Sequence, residues 1–235
     1  MSTYLSSTKR RKEDDTPPTP YVKGIQMAGR RHVPLPSAHW EPRRATKAEI
    51  AEDEALTPLQ RCVLHPASGG ETIDTKTIDL TITAEVNVGN SHGAQVVIVN
   101  REKIIKIYDP LYYPRPSNFG SGCPDPHRSA STQYRSEVEV FLSLRCLWGT
   151  IVPEYHGSWT CDVPLPSGKT REVRFIMMEL IPGICMKNLN DIVGKSLPLH
   201  ERQAVMNKVI DAESSIRGLW HFPQEYASPK RHDLQ

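Results

Sequence analysis

The chain has 235 residues, and its 29 Lys and Arg against 27 Asp and Glu give a formal net charge of +2. A charge this close to zero produces no field that favours binding to nucleic acid or to a membrane surface, so we expect neither partner. Of the 235 residues, 20 are proline, more than the roughly 5% of average proteins. This excess predicts that part of the chain does not fold compactly.

Several features indicate an intracellular protein. No apolar run approaches the ~18 residues that span a bilayer, and residues 1–15 contain no apolar stretch behind their charges, so they do not form a secretory signal. The five cysteines are scattered without a C-x-x-C pair, which is typical of reduced thiols in the cytoplasm or nucleus. Cys146, His156 and Cys161 match no zinc spacing, so we expect no metal site.

Residues 1–70 are predicted to be a disordered, Pro-rich and charged region. Prolines interrupt every stretch that is long enough to become an element. One short helix is possible at residues 46–59, because Thr46 and Glu49 have the spacing of a capping box. The basic cluster at residues 9–12 is interpreted either as a nuclear import signal or as an ordinary solvated tail.

Beyond residue 70 the pattern predicts an α+β fold. Residues 77–88 alternate strictly between apolar and polar side chains, which indicates a strand with one buried face. Two further strands at 95–100 and 103–108 are close enough to form a tight hairpin. Residues 109–131 are rich in Pro, Gly and Ser and are predicted to form an irregular loop.

The remaining elements are a helix, two strands and a final helix. Residues 132–147 have helical periodicity, as do residues 205–219. Between them lie strands at 152–161 and 171–181, joined by a turn around Gly168. The sequence thus predicts a five-stranded antiparallel sheet with one helix at 71–187, followed by one or two helices at 188–235.

Three features have the residue types of a binding site. Gly89 and Gly93 lie in the turn between the first two strands, where the missing Cβ lets backbone N–H groups approach an anion; an ordinary hairpin turn is the alternative. Lys106 lies in an almost wholly apolar strand, where its ammonium must be paired or solvated. Its candidate partner is Glu137 on the next helix, and an edge strand with Lys106 facing water is the alternative.

These features resemble the small lobe of the protein kinase-like superfamily, and most closely a divergent, fungal-looking branch of it. The segment from Gly89 to Val96 is similar to the phosphate loop G-x-G-x-x-G-x-V. Lys106 is similar to the lysine of the V-A-I-K strand, and Glu137 to its ion-pair partner on the αC helix. The resemblance covers residues 73 to 235.

The end of the last strand extends the resemblance. Met178 resembles the gatekeeper, and the Glu179 C=O and Ile181 N–H resemble the hinge groups that meet adenine; a core strand that ends in a turn is the alternative. The resemblance implies ATP as a ligand, with Mg²⁺. The cofactor-binding residues it implies are Gly89, Gly93, Val96, Lys106, Glu137, Met178, Glu179 and Ile181.

The chain also departs from the kinase pattern. Ser91 and Ala94 replace two loop glycines, and Ile104 replaces the small residue above adenine. Residues 231–235 resemble the first half of the catalytic loop, with Asp233 as the base, but the chain contains no D-F-G. We therefore expect a small lobe with only the start of a large lobe and no complete catalytic machinery.

Three functions are compatible with this pattern. The first is a kinase-like fragment whose small lobe binds nucleotide. The second is an active phosphotransferase, acting on a protein or a small molecule, whose large lobe lies outside this sequence. The third is a non-catalytic module that binds a protein partner through the sheet and the αC-like helix.

Overall fold

The computed structural model describes residues 16–35, 56–67, 69–90, 92–114, 125–165, 168–183 and 198–220. The strands are Gln26–Val33 (β1), Glu71–Asn87 (β2), Gln95–Val99 (β3), Lys103–Tyr108 (β4), Tyr155–Pro164 (β5) and Thr170–Glu179 (β6). The helices are Pro58–Leu64 (α1), Pro126–Ser143 (α2) and Leu199–Trp220 (α3). Single 3-10 turns at Pro110–Tyr112 and Arg145–Leu147 follow β4 and α2. The fold class is α+β, as predicted.

The six strands form one antiparallel sheet that closes into a barrel in the order β1-β2-β3-β4-β6-β5. The five predicted strands are all present. The sixth, β1, pairs with β2 on one side and with β5 on the other, and so closes the barrel. The prediction that residues 1–70 are disordered is therefore wrong for this segment.

Strand β1 forms in spite of the charge of Arg30 because this side chain lies on the outer face of the barrel and has ion-pair partners there. Arg30 faces outward and pairs with Asp162 at 2.8 Å, Glu172 at 3.5 Å and Asp74 at 3.6 Å. Gly29 faces inward, where a Cβ would lie 3.0 Å from side-chain atoms of its neighbours. The strand is thus held by its two hydrogen-bonded ladders and by ion pairs, and its own apolar pattern is too weak to predict it.

The core of the barrel consists of β-branched and aromatic side chains from facing strands. Those exposed by at most 1% include Ile82, Val97, Val99, Ile105, Ile107, Val173 and Phe175. Their alternation with outward-facing residues is the periodicity of two that predicted the strands. It also decides which residues of β4 face the outside of the barrel.

A buried polar group ties the segment before β1 to the barrel. Asp109, which follows β4, is fully buried and accepts hydrogen bonds from Arg171 Nη1 at 2.5 Å and from the Tyr21 hydroxyl at 2.6 Å. Burial raises the pKa of Tyr21, and the Asp109 carboxylate raises it further. Tyr21 thus remains a neutral donor and satisfies a carboxylate that would be costly to bury with an unmet acceptor.

The first two helices begin at capped positions. Thr57 caps α1 through a capping box with Gln60, with N–H to oxygen distances of 3.3 and 2.8 Å. The helix predicted at 46–59 lies mainly outside the described residues, as does its capping box at Thr46. Helix α2 begins at Pro126 and not near residue 132, and Pro110–Tyr112 is a helical turn with two buried side chains. The prediction of an irregular loop at 109–131 is therefore wrong at both ends.

The chain divides into two compact units. The first contains the described residues up to Glu139 together with His156–Met178, which includes most of the barrel and of α2. The second contains Val140–Tyr155 and the described residues from Glu179 onward. In the second unit the Phe141 and Tyr155 rings stack at 5.2 Å, and α3 contains the helix predicted at 205–219. The predicted domain boundary at 187/188 lies outside the described residues.

Candidate functional site

Lys106 projects from the outer face of β4. Ile105 and Ile107 are fully buried inside the barrel, so the alternation of the strand places Lys106 outside, with Ile104 on the same face. Val96 of β3 is the residue directly opposite Lys106 in the antiparallel register. The residues that the resemblance assigns to the end of the phosphate loop and to the lysine strand are thus direct neighbours.

Helix α2 is fixed on the outer face of the barrel by Tyr134, one turn before Glu137. The Tyr134 side chain is fully buried, and its hydroxyl lies 2.6 Å from His32 Nδ1 of β1. Its ring packs edge-on against Tyr108 of β4 at 5.4 Å and lies 5.6 Å below the Arg174 guanidinium of β6. Contacts to three strands therefore determine where Glu137 is placed.

Lys106 and Glu137 form an ion pair between β4 and α2, in which Lys106 Nζ donates to Glu137 Oε1. Their side chains are 29% and 31% exposed, so the pair is partly shielded and still open to solvent on one side. Lys106 Nζ also lies 5.8 Å from the centre of the Tyr108 ring, within the range of a cation–π contact. The predicted pairing of Lys106 with Glu137 is confirmed.

The loop between β2 and β3 is held closed by a buried amide. Gly89 and Gly93 have φ values of +149° and +75°, which favour glycine. Gln95 is fully buried; its Oε1 accepts from the Gly89 N–H at 2.7 Å, and its Nε2 donates to the Gly89 and Gly93 carbonyls at 3.0 and 2.9 Å. One loop N–H is therefore already bonded. Gln95 was not among the predicted site residues, and its one signal in the sequence is that a polar residue begins an apolar strand.

Tyr113 links this loop to α2. Its hydroxyl donates to Gln133 Oε1 at 2.9 Å, and a Cβ on Gly93 would lie 3.8 Å from its ring. Burial raises the pKa of Tyr113, and the negative charges of Glu137 and Asp109 raise it further. Tyr113 is therefore a neutral, buried neighbour of the ion pair. Tyr113 was not among the predicted site residues, because it lies within the segment that was predicted to be an irregular loop.

The other predicted site residues are divided between the units. Met178 is half-buried near the end of β6 in the first unit. In the second unit, the Glu179 N–H donates to the Glu154 carbonyl at 2.9 Å, and the Glu154 N–H donates to Glu179 Oε2 at 3.0 Å. Ile181 is 55% exposed. Asp233 lies outside the described residues.

The described part of the chain contains no group of three or more His, Cys, Asp or Glu side chains that could hold a metal ion. The described donors nearest to Lys106 therefore do not fit a Mg²⁺ site by themselves. No helix among the described residues is both long and apolar enough to cross a membrane.

Comparison with known proteins found no matching family model, no matching curated protein and no matching solved structure. The described features of the candidate site are the Lys106–Glu137 pair, the loop closed by Gln95 and the neutral side chain of Tyr113.

Proposed function

We propose that the first unit is a protein kinase-like small lobe and that its Lys106 face binds the phosphate groups of ATP. The observation that carries this proposal is the ion pair from Lys106 of β4 to Glu137 of α2. In kinases a strand lysine contacts the nucleotide phosphates while a glutamate on the following helix holds it in place. The proposal is confined to the phosphate end of the site, all of which lies in the first unit.

The surroundings of the ion pair support a role in binding. Exposed ion pairs contribute at most about 1 kcal/mol to the stability of a fold. Stabilisation of the fold alone is therefore a weak reason to place a lysine and a glutamate at a partly exposed position. Here α2 is anchored by the buried Tyr134, so Glu137 is presented on a rigid element. A pre-positioned ammonium of this kind can contact an anion with little further loss of side-chain freedom.

A non-catalytic interaction module is the second candidate, and the loop favours it. The buried amide of Gln95 already bonds the Gly89 N–H and the carbonyls of Gly89 and Gly93. A loop that is closed on itself offers fewer N–H groups to a phosphate. In this alternative the Lys106–Glu137 pair stabilises the contact between β4 and α2, and the protein binds no nucleotide.

Titration calorimetry with ATP, with and without Mg²⁺, distinguishes the two candidates. We expect a dissociation constant no tighter than about 0.1 mM, which is roughly 5.5 kcal/mol. Lys106→Met should weaken binding at least about tenfold, because it removes a charged hydrogen bond to phosphate. The matched control is Lys76→Met on the exposed part of β2, which should bind ATP as the unaltered chain does.

Two outcomes contradict nucleotide binding at this site. ATP binding that is unchanged in Lys106→Met would place the nucleotide elsewhere. A complete lack of binding at millimolar ATP, in a chain that unfolds cooperatively, would favour the interaction module.

A further inference from the structure

A second group of basic side chains lies at the end of the barrel where β1 ends and where β4 and β5 begin. We call this group the basic mouth; it consists of Arg31, Lys103, His156, Gly157 and Trp159. Arg31 faces inward, because it is paired directly opposite Trp159, a member of the barrel core. Lys103 alternates with the buried Ile105 and Ile107 and faces the same interior.

The two cations of the basic mouth converge on one residue. Lys103 Nζ lies 2.7 Å from His156 Nε2, and Arg31 Nη1 lies 3.4 Å from the His156 carbonyl oxygen. A histidine ring is neutral or positively charged, so His156 does not neutralise the charge of Lys103 or of Arg31. The carbonyl is shared with the Trp159 indole N–H at 3.2 Å.

The backbone at Gly157 is adapted to the Arg31 side chain. Gly157 has φ +105°, and a Cβ at this position would lie 1.3 Å from Arg31 Nη1. The guanidinium passes over the glycine and stacks on the Trp159 ring, 5.3 Å from its centroid. Arg31 is therefore held in one place by packing, as a preorganised ligand-binding group requires.

Neither cation is neutralised within the described part of the chain. No described carboxylate lies within ion-pair distance of Arg31 or of Lys103, whereas the adjacent Arg30 contacts three. Both side chains are only partly exposed, so water screens them less completely than it screens a surface lysine. Two uncompensated positive charges match a phosphate dianion, which carries a charge of about −1.5 to −2 near pH 7.

We propose that the basic mouth binds a phosphate dianion, as inorganic phosphate or as a phosphate monoester, through Arg31 and Lys103. Arg31 supplies a fixed fork of donors, and Lys103 supplies the N–H groups that His156 does not use. This site is separate from the Lys106 face, because residues 103 and 106 of β4 face opposite sides of the barrel wall. It does not depend on the proposed nucleotide binding.

The test uses the full chain carrying Lys106→Met, so that any phosphate binding at the Lys106 face is removed. Inorganic phosphate, phenyl phosphate and methyl sulfate are each titrated by calorimetry. We expect both phosphates to bind and methyl sulfate, which carries one charge, to bind at least about tenfold more weakly. Tighter binding of phenyl phosphate would identify a monoester as the ligand, and equal binding would identify inorganic phosphate.

Adding Lys103→Met or Arg31→Gln should weaken phosphate binding at least about tenfold. Adding Lys76→Met, which removes an exposed lysine of β2, should leave it unchanged. Circular dichroism verifies that each variant is folded, and if Arg31→Gln does not fold, Lys103→Met alone tests the site. Phosphate binding that is lost with Lys106→Met alone, or that is equal in the Lys103→Met and Lys76→Met variants, would overturn the proposal.

Discussion

At the scale of single residues, the contact between β1 and α2 depends on a neutral histidine. His32 is buried, and its Nδ1 lies 2.6 Å from the Tyr134 hydroxyl. Burial lowers the pKa of His32 to about 4, and the nearby positive charge of Arg174 contributes to this shift. Protonation would place a second positive charge beside Arg174 inside the protein, so the folded state resists it.

This shift predicts a loss of stability in mild acid. The unfolded chain takes up a proton at His32 near pH 6.5 and the folded chain only near pH 4. Between these values the unfolded state binds more protons, so its free energy falls relative to the folded state as the pH decreases. The contribution of neutral His32 to the free energy of unfolding is fully present above pH 6.5. On the order of 3 kcal/mol of this contribution is lost by about pH 4.

Urea denaturation at several pH values between 7 and 4 measures this loss. His32→Asn is the matched variant, because an amide oxygen can accept the Tyr134 hydroxyl but does not titrate. The variant should lose less stability than the unaltered chain over this range. Parallel pH dependence in the two proteins would show that His32 is not the group responsible.

At the scale of elements, α2 depends on its first residues for its position. Asp125 Oδ1 accepts from the Arg128 N–H at 3.0 Å, and Asp125 Oδ2 accepts from Arg61 Nη2 of α1 at 2.7 Å. One carboxylate thus caps α2 and joins it to α1. Burial alone would raise the pKa of Asp125, but these two hydrogen bonds outweigh burial and lower the pKa.

Asp125→Ala should therefore reduce the free energy of unfolding by about 0.5–2 kcal/mol at neutral pH, the usual range for a lost cap. The lowered pKa means that this contribution is present above the unfolded value of 3.8 and is lost as the pH falls below it. Asp125→Asn keeps a capping oxygen and loses the charge, so its loss should be smaller. Urea denaturation of the three proteins measures both effects, and an Asp125→Asn loss as large as that of Asp125→Ala would contradict the role of the cap.

At the scale of the whole molecule, the barrel requires a strand from the segment that the sequence analysis assigned to disorder. β1 bridges β2 and β5, and Tyr21 before it donates to the buried Asp109. Without them two strand edges are unpaired and a buried carboxylate loses a donor. Both changes are costly in an interior that excludes water.

A chain that begins at residue 35 should therefore fail to unfold cooperatively, whereas one that begins at residue 16 should behave as the full chain does. Thermal unfolding followed by near-ultraviolet circular dichroism makes the comparison. If both shortened chains show the same sharp transition, β1 is not needed to complete the barrel.

The order of most elements could be predicted from local patterns. The alternation of residues 77–88 predicted a strand, and the short spacer between β3 and β4 predicted a hairpin. The structure has left-handed residues at Asn100 and Arg101 in that turn. The pairing of Lys106 with Glu137 also followed, because an ammonium in an apolar strand needs a partner and the next helix supplies a carboxylate.

Other features depend on tertiary contacts that no local pattern contains. β1 has a weak apolar pattern of its own and becomes a strand because it pairs with β2 and β5, while Asp74, Asp162 and Glu172 contact Arg30 on the outer face of the barrel. The site also includes Gln95, Tyr113 and Tyr134, whose roles there follow from contacts in the folded chain and not from a local sequence pattern. Local patterns were enough to predict five strands, the helices α2 and α3 and the charged pair, because hydrophobic periodicity and the cost of desolvating a charge are local properties. The closure of the barrel and the neighbours of the pair could not be predicted in this way, because both depend on contacts between residues that are far apart in the chain.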